Sequence, residues 1–107
     1  MNKKTPILFT LYEPETGEVR EEFATFIVPF GILETAVGLA ATLDIQAMKG
    51  EDITALAQLV VDLFGGRFSL SDVKNYSDVG DTIAVMQAIM TRAGAAMPKD
   101  TNPTQAG

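Results

Sequence analysis

The spacing of apolar residues changes at Pro29, and that change limits the possible folds more than any other feature of the chain. Before it, β-branched and aromatic residues dominate, in Ile7-Leu8-Phe9-Thr10-Leu11-Tyr12 and again from Val19 to Val28. From Gly31 onward, apolar residues recur at helical spacing. Strands gathered at one end and helices at the other predict an α+β fold rather than an alternating α/β one.

Between the two β-rich runs lies Glu13-Pro14-Glu15-Thr16-Gly17. Proline pre-sets φ and the glycine three residues later accepts positive φ, so this segment reads as a turn. The expected element is a β-hairpin with strands near 6–12 and 19–28, closed by Pro29. A lone hairpin is marginal in water, so its apolar face must pack on the helices.

Three main helices and one short one are expected. In the first, Leu33, Ala36, Val37, Ala40, Leu43, Ala47 and Met48 share a face, with Lys49-Gly50 as its end and Gly50 as a left-handed cap. Glu51 and Asp52 open the second, whose stripe is Ile53, Leu56, Ala57, Val60, Leu63 and Phe64. Leu59 and Val61 lie off that stripe, so this helix should be central and covered from two directions. Gly65-Gly66 stops it. Ser69-Leu70-Ser71-Asp72 has the form of a capping box and starts a short helix through Tyr76. Ser77 or Asp78 caps the last helix, with Val79, Ile83, Met86, Met90 and Ala93 inward and Gly94 at its end. Met97 is expected to be exposed. Residues 1–97 form one domain, and 98–107, without a large apolar side chain, form a flexible, disordered tail.

Composition narrows the function classes. The 107 residues include no Cys and no His, which removes the usual routes to nucleophilic, acid–base and zinc chemistry. No enzyme activity, cofactor or metal is expected. The net charge is −6 and the basic residues are scattered, so nucleic acid and anionic membranes are disfavoured partners. No apolar run approaches the length of a bilayer span. Met1-Asn2-Lys3-Lys4 begins like a signal peptide, but the following apolar run is cut short by Glu13-Pro14-Glu15, and the expected location is the cytoplasm of origin. The acidic cluster Glu13, Glu15, Glu18, Glu21 and Glu22 lacks the spacing of a calcium loop and reads as a solvated hairpin face. The bases that would make the glycine turn into a DNA-reading helix-turn-helix are missing; Asp72 and Asp78 outweigh Lys74. What remains is contact. Phe64, Phe68 and Leu70 read most simply as core, and alternatively as a hydrophobic surface for a partner helix; Leu59, Val61 and the hairpin edge are candidate points of self-association.

The segment Val60-Val61-Asp62-Leu63-Phe64-Gly65-Gly66-Arg67-Phe68-Ser69-Leu70-Ser71-Asp72-Val73 resembles the tail assembly chaperone family of siphophages infecting Gram-positive hosts, whose central helix ends in a Phe-Gly-x-x-Phe-Thr/Ser-x-x-Asp turn. The likeness extends over roughly residues 23 to 93, including the helix spacing. It departs along the first helix, where Ala and Gly stand in place of the family's charge. The resemblance implies a chaperone that binds the long helical tape measure protein, keeps it soluble in the host cytoplasm and is absent from the mature virion. It further implies self-association into a homo-oligomer, and a longer form of the same protein made by frameshifting, of which this chain matches the short form. The alternative is a small acidic regulatory module of phage origin that binds one folded partner.

Overall fold

The computed structural model describes residues 5–96. It shows the α+β arrangement expected: a two-stranded antiparallel hairpin followed by four helices. The strands are β1 (Ile7–Tyr12) and β2 (Val19–Thr25); the helices are α1 (Phe30–Thr42), α2 (Gly50–Leu63), α3 (Leu70–Tyr76) and α4 (Val79–Ala96). A 3₁₀ turn, Ile45–Ala47, lies between α1 and α2. The tail 98–107 and Met97 fall outside the described residues.

The hairpin turn closes on Glu13, whose carbonyl accepts from Gly17 N–H (2.7 Å) while its own N–H donates to Glu18 O (2.8 Å). Gly17 adopts φ +78°, a conformation that disfavours other residues. In register, Phe9 faces Phe23 and Leu11 faces Glu21, but Tyr12 faces Val19. Arg20 is therefore the extra residue of a bulge, and bulges re-aim side chains. Its guanidinium lies 4.1 Å from the centre of the Tyr76 ring and 2.7 Å from Glu13 Oε2, tying the turn to α3. Both ion-pair partners are exposed, so the pair contributes about 1 kcal/mol at most. β2 ends at Thr25, three residues earlier than the β-rich composition predicts, because β1 offers no partner beyond Ile7.

Ile7, Phe9 and Leu11 alternate inward from β1 and are buried. Phe9 stands among the rings of Phe64 (5.9 Å between centres) and Phe68 (5.3 Å), and Phe23 sits 4.7 Å from Phe68. This aromatic group fastens the hairpin to the C-terminal end of α2. Helix α2 is the hub, packed against α1, α3 and α4; it buries Leu56, Ala57, Val60 and Leu63 of its stripe together with the off-stripe Leu59 and Val61, whereas Ile53, in its first turn, is exposed. Its end is a Schellman motif: Gly66 N–H donates to Val61 O (3.0 Å) and Gly65 N–H to Asp62 O (3.1 Å). Both glycines have positive φ. A side chain at Gly65 would meet no atom within 4 Å, so the demand there is for backbone conformation, worth about 1–2 kcal/mol.

The capping box of α3 forms as expected: Asp72 N–H donates to Ser69 Oγ and Ser69 N–H to Asp72 Oδ2, both at 3.0 Å. Asp78, rather than Ser77, caps α4, accepting from Gly80 N–H at 3.1 Å; Ser77 turns its hydroxyl onto Val73 O (2.6 Å).

Four helical expectations are corrected. Helix α1 stops at Thr42 instead of running to Lys49, because the Asp44 carboxylate accepts from Gln46 N–H (3.0 Å) and starts the 3₁₀ turn; short acidic side chains compete with helix in this way. Gly50 is not a left-handed cap but the first residue of α2, which Asp52 caps by accepting from Lys49 N–H at 3.0 Å. Val37, Ala40 and Ala47 are exposed, and the covered side of α1 is Ile32, Leu33, Ala36, Leu39 and Leu43. In α4, Val79 is exposed and the core face is Thr82, Val85, Met86 and Ile89, while Gly94 lies inside the helix. A lone glycine without a left-handed turn lowers helix propensity but does not end a helix.

Candidate partner surface

Of the residues considered for contact, Leu59 is 1% exposed, and Val61, Phe64 and Phe68 are buried with it. Leu70 is half-buried against the same cluster. They belong to the core that joins hairpin to helices, and Leu59, Val61, Phe64 and Phe68 present no surface for a second molecule. The hairpin edge fares no better. Arg67 places Nη2 on Ala24 O (2.7 Å), and Glu21 and Glu22 stand exposed along β2, both of which discourage an added strand.

The exposed apolar surface lies elsewhere. Phe26, Ile27 and Phe30 follow one another from the end of the hairpin into α1, and Phe30 is 75% exposed. Val37, 47% exposed, lies seven residues on, two turns along the same side of α1. Gly31, Gly38 and Ala41 are exposed beside them. Thr35 and Thr42 donate their hydroxyl protons back to the helix, onto Gly31 O (3.2 Å) and Leu39 O (3.4 Å), so they offer no free donor to the face. Glu34 is the single charged residue of the helix, and it makes no ion pair or hydrogen bond with another side chain.

A helix without a polar face is normally covered on all sides. Here α1 is covered by α2 and α4 on one side only. The signal was present in the sequence: Phe30-Gly31-Ile32-Leu33-Glu34-Thr35-Ala36-Val37-Gly38-Leu39-Ala40-Ala41-Thr42 contains one charge. Helical spacing alone groups Val37 and Ala40 with the covered Leu33 and Ala36, and so masks that exposure.

The concave parts of the molecule offer little chemistry. An open groove of about 700 Å³ runs between the start of β1 and α4, with Leu8, Ala88 and Arg92 on its walls. Its cation is already engaged, since Arg92 donates to Phe26 O at 2.7 Å and to Thr5 O. A smaller groove holds Tyr12, Asn75, Tyr76 and Asp78. The Tyr12 hydroxyl is held above its ordinary value of 10.0, first by the negative charge of Asp81, then by desolvation and by hydrogen bonding to Asp81. A phenol made less acidic is a poorer nucleophile at neutral pH. Among the described residues no group of three or more Asp and Glu is placed to hold a metal ion, and no helix is long and apolar enough to cross a membrane.

Comparison with known proteins leaves the reading to this geometry: no family model, curated protein or solved structure matches the chain.

Proposed function

We propose that the protein is a tail assembly chaperone that binds the phage tape measure protein and keeps it soluble in the host cytoplasm until the tail tube forms around it. The observation that carries this reading is the uncovered apolar side of α1, continuous along the chain with Phe26 and Ile27. Large exposed apolar areas mark interaction sites, and a helix face of this kind suits an amphipathic helix laid against it. The rest of the molecule fits the task. The net charge of −6 keeps the complex in solution, and contact alone is asked of the side chains. Several copies along one long helix hold it by avidity, each binding weakly.

The test is co-expression of this chain with a tape measure protein. The chaperone reading expects the tape measure to move from the pellet into the soluble fraction and to co-purify with several copies of the chain. A tape measure that is no more soluble in its presence refutes the reading.

A further inference from the structure

We propose that the partner helix seated on α1 carries Lys or Arg beside its apolar stripe, and that it lies in the notch formed by Gly31 and Gly38 with its cations toward Glu34. This rests on the chaperone reading and states the chemistry of its partner.

Two independent observations lead there. The first is charge. Phe30, Glu34, Val37 and Ala41 fall in one row along the exposed side of α1. Glu34 is the one charge in that row, and no cation among the described residues pairs with it. Arg20 is paired with Glu13, Lys74 donates to Thr54, and Arg67 and Arg92 are held by backbone carbonyls. Glu21 and Glu22 extend the negative field along β2. A cationic helix is complementary to this surface. A second copy of the chain is not, because its own α1 carries no cation to meet Glu34.

The second observation is the glycines. Glycine inside a helix is unfavourable relative to alanine, and it persists where something must approach the backbone closely. Among the described residues nothing does so: a Cβ added at Gly31 or Gly38 meets no atom within 4 Å. The space is open to an outside helix, whose approach distance is set by the side chains at the crossing.

The probe is a pair of synthetic helices of about twenty residues with the same Leu/Ala stripe, one flanked by Lys and one by Glu, titrated onto the full-length protein by fluorescence anisotropy. The Lys peptide should bind at least about fivefold more tightly than the Glu peptide, and more weakly as salt rises. Glu34→Lys should reverse that preference. Gly38→Ala should raise the melting temperature by about 4 °C yet weaken the Lys peptide, and Gly38→Leu should weaken it further, by about tenfold. A stabilised protein that binds less well separates a docking notch from a merely structural glycine. Equal binding of the two peptides, no binding of either, unchanged preference in Glu34→Lys, or a dimer assembled through α1 in place of peptide binding would each overturn the proposal. Solubilisation of the tape measure in co-expression, measured separately, stands or falls with the chaperone reading alone.

Discussion

Tyr12 shows how one side chain links the hairpin to the start of α4. The negative charge of Asp81 beside its hydroxyl holds its pKa above 10.0. The folded protein keeps the phenolic proton more tightly than the unfolded chain does. Stability from this contact is therefore intact below the unfolded value, and it falls as pH rises through and past it. Urea unfolding at about pH 8 and about pH 11 should show a larger loss for the native sequence than for Tyr12→Phe, which lacks the titrating group. Equal losses in the two proteins would show that the contact with Asp81 does not distinguish folded from unfolded chain.

At the scale of elements, the junction between hairpin and helices decides whether the two halves hold together. Phe9 and Phe23, paired across the hairpin, each reach both Phe64 and Phe68, and Phe9 is the more deeply buried of the two. Each such ring contact adds about 0.5–1.5 kcal/mol beyond burial. Phe9→Ala should cost about 3–5 kcal/mol, read as a lowered urea midpoint with an unchanged slope. A loss under about 1 kcal/mol would mean that the hairpin is not an integral part of the core. Most of these elements were legible beforehand, and the reasons are local. Pro14 with Gly17, the Gly65-Gly66 pair, and Ser69 with Asp72 each encode their turn or cap within a few residues. The end of α1 was not, because the apolar spacing of Leu43, Ala47 and Met48 continues past Asp44, and one side-chain hydrogen bond there overrides it. The contact surface was misread for a different reason. Spacing shows that a helix is apolar on several sides, but which side the neighbours cover is a tertiary fact. Helix α2, with Glu51, Gln58 and Asp62 exposed, is packed against three helices; α1, the more apolar of the two, is covered on one side.

At the scale of the whole molecule, α2, α4 and the hairpin enclose the core, while α1 carries the apolar face that Phe26 and Ile27 continue. Phe30 and Val37 contribute to that face and little to the core, so charging them leaves the fold standing. The most direct measurement is co-expression of the tape measure protein with Phe30→Glu/Val37→Glu, alongside thermal unfolding of the purified variant. The melting temperature should stay within about 4 °C of the native protein while the tape measure returns to the insoluble fraction. A tape measure kept as soluble by the variant as by the native chain would contradict the assignment of α1 as the working surface.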